Sequence, residues 1–164
     1  MVGFRPKLLT QDIMLQLKHH IIEGTKTLHT KAILGLDLTK AFDTVTHKAV
    51  LQNLQELDVG RKTYAYIKGF LTDRTAMITI GGTKSEEIKL GNRGTPQGSV
   101  LSPFLFNVAM IGLPARLEKI EVLGHSLYAD GITLWVAAGS DGHVEEILQT
   151  AVNTVEGYIR DKGL

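Results

Sequence analysis

The sequence contains no cysteine, which excludes disulfides, iron–sulfur clusters and thiolate zinc sites and fits a reducing compartment. An excess of one charge is missing too. The 18 Lys and Arg stand against 17 Asp and Glu, a formal net charge of +1. No overall positive field therefore points to nucleic acid, and such a partner has to be argued from local residues. Long apolar runs are absent. The longest stretch without a charged residue lies between Arg93 and Arg116, but Thr95, Pro96, Gln97, Gly98, Ser99 and Ser102 occupy its front and Pro114 closes its back. A membrane-spanning helix needs about 20 mainly apolar residues, so this stretch reads as a polar loop followed by a buried helix. The start, Met1-Val2-Gly3-Phe4-Arg5-Pro6, lacks the apolar centre of a signal peptide. The expectation is an intracellular protein, nuclear or cytoplasmic, without a membrane partner. There is no repeat, no Gly-x-Ser-x-Gly elbow and no Walker A loop, and the six histidines follow no metal-ligand spacing.

What is present is an ordinary globular composition. The chain has 164 residues, 43% of them hydrophobic, which suits one domain or a piece of a larger one. Elements of different type alternate. Ile13, Leu17 and Ile21 mark one face of a helix over Thr10–Glu23, stopped by Gly24. Lys31–Asp37 is an apolar run ending in a carboxylate and reads as a buried strand. Thr46 caps a helix with Val50, Leu51, Leu54 and Leu57 inward, closed by Gly60. Tyr64, Ile67 and Phe70 define the next helix. Gly81-Gly82, between Met77–Ile80 and Glu86–Leu90, predicts a hairpin. Ser102-Pro103 predicts a helix start, with Phe104, Leu105, Val108 and Ile111 facing the core. Val122–Tyr128 and Ile132–Ala137 flank Ala129-Asp130-Gly131 as a second hairpin. Asp141 to about Lys162 is strongly amphipathic, and Gly163 is its stop.

Two carboxylates end apolar runs: Asp37 after Ala32–Leu36, and Asp130 after Leu127-Tyr128-Ala129. An unpaired charge at the edge of a core is costly. Two that converge repel unless a cation lies between them, and hard oxygen donors favour Mg²⁺. Each Asp taken alone also reads as the start of a turn. Asp43 reads as a third ligand or, preferably, as a carboxylate favoured near a helix N-terminus. Arg93–Ser99 is a glycine-flanked loop whose backbone N–H groups can face a phosphate, and it equally reads as an ordinary turn.

Together these segments resemble one family. Leu36-Asp37-Leu38-Thr39-Lys40-Ala41-Phe42-Asp43-Thr44-Val45 is similar to the first catalytic motif of reverse transcriptases. Gly94-Thr95-Pro96-Gln97-Gly98-Ser99-Val100-Leu101-Ser102-Pro103 resembles the second, and Leu127-Tyr128-Ala129-Asp130 the Tyr-Ala-Asp-Asp hairpin. Gly3-Phe4-Arg5-Pro6 with Thr10-Gln11-Asp12 resembles the upstream segment of non-LTR (LINE-type) retrotransposon polymerases.

The resemblance implies an RNA-directed DNA polymerase acting on an RNA template, a DNA primer and dNTPs. Its fold would be α+β: a polymerase palm, ferredoxin-like βαββα with the last strand missing, with part of the fingers. Residues 1–30 would be the fingers-side segment and 31–164 the palm with inserted helices and hairpin. Asp37 and Asp130 match the metal-binding aspartates of a two-Mg²⁺ site, and the Leu38 carbonyl would be a further ligand. Phe42 matches the ring that excludes a ribose 2′-hydroxyl. Pro96, Gln97 and Gly98 match the loop lining the incoming nucleotide, and Arg5 a contact to the template backbone. Two departures stand out. Gly131 replaces the second hairpin Asp, and the sequence ends before the family's next motif, so the last palm strand, the lysine region and the thumb are expected to be absent. The expected site is thus impaired and the fragment inactive. The alternatives are a non-catalytic remnant with at most weak nucleic-acid binding, and a nucleotide cyclase, which shares a two-carboxylate palm. Phe42 and the Pro-Gln-Gly-Ser loop favour polymerase over cyclase.

Overall fold

A computed structural model describes residues 10–23, 30–137 and 139–163. Among the described residues the alternation read from the sequence appears as seven α-helices and seven strands: α1 (Thr10–Leu17), β1 (Ala32–Asp37), α2 (Ala41–Thr44), α3 (His47–Glu56), α4 (Arg61–Leu71), β2 (Thr75–Ala76), β3 (Thr79–Ile80), β4 (Thr83–Lys84), β5 (Ile88–Lys89), α5 (Leu101–Ala109), α6 (Leu113–Leu117), β6 (Leu123–Tyr128), β7 (Gly131–Val136) and α7 (Asp141–Lys162). A π-helical turn over Lys18–Glu23 extends α1, and its expected stop at Gly24 lies outside the described residues.

The central sheet has the order β1-β7-β6, antiparallel throughout. Side chains alternate across a strand, so its two faces differ. Leu34, Leu36, Ile132, Leu134 and Leu127 turn to the helices and enter the core with Phe106, Val155 and Tyr158. Ile33, Asp37, Thr133, Gly131, Trp135, Gly124 and Ser126 share the other face. There Trp135 lies flat over Gly124, where any side chain would collide with the indole. The His20 ring, on the π-helical turn, is 6.0 Å from that indole.

Helix α7 has the sharpest boundaries, and both were legible. The Ser140 hydroxyl accepts a hydrogen bond from the His143 N–H, and Gly163 closes the helix with φ 68. Tyr158, unpredicted, is its most buried ring; the hydroxyl donates to the Ala109 carbonyl (2.8 Å) and accepts from the Gly112 N–H (3.2 Å). Burial raises its pKa above the ordinary tyrosine value. Asn53, buried in α3, donates to the Val108 and Ala109 carbonyls and accepts from the Lys162 ammonium at 2.7 Å. These bonds add partners to the buried carbonyls at the end of α5, where the helix has run out of its own donors.

Several local expectations are corrected. Helix α3 ends with Asp58 in the left-handed region (φ 47), while Gly60 caps the start of α4; Leu57 is exposed rather than inward. Helix α5 begins at Leu101, and Ser102 is not its cap: the hydroxyl donates to the Pro96 carbonyl at 2.5 Å, while the Ser99 hydroxyl accepts from the Leu101 N–H. Pro103 is tolerated because the first four N–H groups of a helix have no internal partner. Phe104 and Ile111 are exposed, whereas Phe106, Ala109 and Met110 are buried. The Gly81-Gly82 turn is present, both residues with positive φ, but it joins the short strands β3 and β4, and β5 pairs further back with β2.

Candidate active site

Asp37 is the last residue of β1, and its register partner on β7 is Gly131. Asp130 immediately precedes Gly131 in the two-residue β6–β7 turn, and its carbonyl accepts a hydrogen bond from the Leu38 N–H (3.3 Å). The sheet therefore carries both aspartates to the same end. Asp37 is exposed and Asp130 half-buried. Two non-glycine residues in the left-handed region flank this end, Lys40 (φ 54) and Ala129 (φ 51). Such conformations cost about 1–3 kcal/mol each and cluster at functional sites. The Leu38 carbonyl accepts from the Ala41 N–H at 3.2 Å, and Asp37, Leu38 and Phe106 line a cavity of about 160 Å³.

The glycine-flanked loop is held beside this end by a zipper of backbone bonds. The Thr95 N–H donates to the Phe42 carbonyl (2.8 Å), the Gly94 N–H to the Val45 carbonyl (2.8 Å) and the His47 N–H to the Asn92 carbonyl (3.0 Å). The His47 ring, buried, adds a bond from Nε2 to the Gly94 carbonyl at 2.9 Å. Gly94 is required here: its φ is 82, and a Cβ would lie 3.1 Å from the Asp43 carbonyl oxygen. Beyond this zipper Phe42, Gln97 and Gly98 line a cavity of about 360 Å³ with Ser99, Val100 and Pro103. Phe42 is half-buried, its ring 5.1 Å from that of Phe106. The Gln97 side-chain amide donates to Asp43 Oδ1 at 3.1 Å.

Of the expected site residues, Asp37, Leu38 and Asp130 thus gather at the sheet end, and Phe42, Gln97 and Gly98 line one cavity. Pro96 does not line it; its carbonyl accepts from the Ser102 hydroxyl and the Ser99 N–H. Arg5 lies outside the described residues. Sequence reasoning missed the partnership of Asp43 with Gln97. It also missed His47, because no local pattern marks a histidine that bonds a carbonyl 47 positions away.

Comparison with known proteins bears on the same segments. The family model described as reverse transcriptase (RNA-dependent DNA polymerase) matches residues 1–164. The chain belongs to the reverse transcriptase family. Its relatives include a retrovirus-related Pol polyprotein from type-1 retrotransposable element R2 of Popillia japonica, 32% identical over 92% of this chain and 22% of that protein. The RNA-directed DNA polymerase from mobile element jockey of Drosophila melanogaster is 32% identical over 73% of this chain and 13% of its own length. An R2 Pol polyprotein of Nasonia vitripennis is 29% identical over 79% of this chain and 13% of its own. The chain spans about a fifth of the length of the first of these relatives. The resemblance to non-LTR retrotransposon polymerases is therefore borne out. No helix among the described residues is long and apolar enough to cross a membrane.

Divalent metals are general in this family. Among the described residues no cluster of three or more His, Cys, Asp or Glu side chains could hold an ion. Two carboxylates and a backbone carbonyl are hard donors suited to one small divalent cation that keeps several waters. Gly131, opposite Asp37, supplies no oxygen from its side chain. The sheet end thus offers hard oxygen donors of the chemistry such an ion takes, with no third carboxylate gathered there among the described residues.

Proposed function

We propose that this chain is the palm, with part of the fingers, of an RNA-directed DNA polymerase from a non-LTR retrotransposon. Residues 31–164 form the palm and 1–30 the fingers side. The observation that carries the reading is the convergence of Asp37 and the Asp130 turn at one end of the sheet, beside the Phe42–Gln97–Gly98 cavity. The order β1-α5-β6-β7-α7, with the strands arranged β1-β7-β6, supports a ferredoxin-like βαββα unit.

The reaction transfers the nucleotidyl group of a dNTP, chosen by an RNA template, to a primer 3′-hydroxyl: the 3′-oxygen bonds the α-phosphorus, its proton is lost and pyrophosphate leaves. Asp37, Asp130 and the Leu38 carbonyl would hold Mg²⁺, which when bound supplies Lewis-acid stabilisation of the transferring phosphate. The chain's own residues do the rest. Gln97 and the Gly98 backbone orient the incoming nucleotide, and Asp43 fixes the Gln97 amide. Phe42 excludes a 2′-hydroxyl by occupying its space, and Phe106 backs the ring. Pro96, bonded to Ser102, keeps the loop in shape. With Gly131 in place of a carboxylate, the isolated chain is expected to show no measurable extension. The second reading is a non-catalytic remnant, favoured by that glycine.

The test is primer extension on an RNA template. Residues 1–164, carrying Gly131→Asp, replace the matching segment in a relative's polymerase. Extension is expected, and Asp130→Asn in the same chimera should abolish it. A folded chimera inactive in both forms would favour the remnant; extension indifferent to Asp130→Asn would remove Asp130 from the site.

A further inference from the structure

A cleft of about 420 Å³ lies apart from the cavity assigned above. It lies at the other end of the zipper between segments 42–47 and 92–95, lined by Thr46 and Arg93 where the Phe42 cavity begins at Phe42 and Gln97. Four cations line it, Lys48, Arg93, Arg160 and Lys162, against a single carboxylate, Asp161. That carboxylate is engaged by Arg116 at 3.2 Å, and Arg160 is itself paired with Glu156 at 2.5 Å, which leaves Lys48, Arg93 and Lys162 as the cations without an ion-pair partner among the described residues. Helix electrostatics accounts for only two of the cations. Arg160 and Lys162 are in the last turn of α7, where the dipole favours positive charge. Lys48 is in the first turn of α3, where the same dipole disfavours it. The side chains of Lys48 and Arg93 are exposed and meet no carboxylate among the described residues. Lys162 is fixed by the neutral Asn53 amide at 2.7 Å and keeps its charge unneutralised. No aromatic ring lines the cleft to stack a base, so its chemistry reads phosphate and not sequence.

We propose that the cleft of Lys48, Arg93, Arg160 and Lys162 binds the phosphodiester backbone of a single nucleic-acid strand, separately from the nucleotide cavity. The site goes beyond the polymerase reading and needs neither metal nor dNTP. Its test is the fluorescence polarisation of a labelled 20-residue oligothymidylate with the whole chain in EDTA, across a salt series. Charge reversal by Lys48→Glu with Arg93→Glu should weaken binding by about tenfold or more. The neutral pair Lys48→Gln with Arg93→Gln should lower the slope of log affinity against log salt by about 1.4, roughly 0.7 per lost phosphate contact on a single strand. Lys62→Glu with Lys68→Glu, two exposed cations of α4 outside the cleft, changes net charge equally and should cost less than about twofold. Absence of binding by the parent, an unmoved affinity in both cleft pairs, or an equal loss in the α4 pair would each overturn the proposal. So would dTTP binding as tightly as the oligomer through the same two side chains, which would make a free triphosphate the ligand. No extension enters this measurement, so failure of the polymerase reading leaves its outcome intact.

Discussion

Replacing Gly131 with aspartate should give the Asp37–Asp130 end of the sheet a measurable response to divalent metal. Gly131 is directly opposite Asp37, on the same face of the sheet, where paired Cβ atoms are about 4.5–5.5 Å apart. The backbone accepts a side chain: φ is not in the left-handed region, and the nearest atom to a built Cβ is the Tyr128 carbonyl oxygen at 3.4 Å, ordinary contact. Without metal, two carboxylates about 5 Å apart repel by about 1–1.5 kcal/mol in a largely solvated setting. Removing a strand glycine returns about 0.5–1 kcal/mol. Gly131→Asp should therefore melt close to the parent in EDTA.

Metal separates them. A three-carboxylate site with Kd of about 1 mM gains about 1.4 kcal/mol at 10 mM ion, whereas a two-carboxylate site tenfold weaker gains about 0.4. The difference of about 1 kcal/mol should appear as an extra rise in Tm of roughly 2–4 °C for a chain of this size. Thermal melts in EDTA, Mg²⁺ and Mn²⁺ measure it directly. Asp37→Asn in the variant should erase the extra rise. In the chimera, the lost stabilisation of about 3–6 kcal/mol corresponds to a rate factor of roughly 10²–10⁴, so Gly131→Asp should raise extension at least about a hundredfold over the Gly131 chimera. Equal metal-induced shifts in parent and variant, or an extra rise that survives Asp37→Asn, would refute the convergence of these positions.

Other substitutions probe the rest of the site. Phe42→Ala in the active chimera should raise ribonucleotide incorporation relative to deoxyribonucleotide, measured by single-nucleotide insertion; an unchanged ratio with activity retained would leave Phe42 only its packing on Phe106. Gly94→Ala should cost about 2 kcal/mol through left-handed φ and the Asp43 carbonyl, a Tm fall of roughly 4–8 °C, and Gly98→Ala, where φ is similar but the space is open, should cost less. His125, half-buried, has its pKa lowered first by desolvation, with Glu118 pulling the other way. The unfolded chain then binds more protons, so Tm should fall as pH drops from about 6.5 through the lowered value, and His125→Gln should flatten that slope.

What was legible in the sequence follows from how local each signal is. Helix α7 and the β6–β7 hairpin were readable because period, cap and turn residues lie within a few positions of one another. The faces of α5 were misread because the helix is apolar nearly all round, so periodicity did not choose between Phe104 and Phe106, and the sheet chose. Ser102 looked like a cap, but burial beside the Pro96 carbonyl gave its hydroxyl a long-range partner instead. Asp37 and Asp130 could be named from motifs, yet their meeting depends on the Asp37–Gly131 register, which no segment encodes alone. The same holds for the zipper. Gly94 is explained only by the Asp43 carbonyl that approaches it. That approach also brings Gln97 within 3.1 Å of Asp43, so the carboxylate read as a helix-terminus charge acts across the site it adjoins. In this chain the residue types that carry chemistry are written locally, while the contacts that aim them are written in the pairing of segments some fifty residues apart.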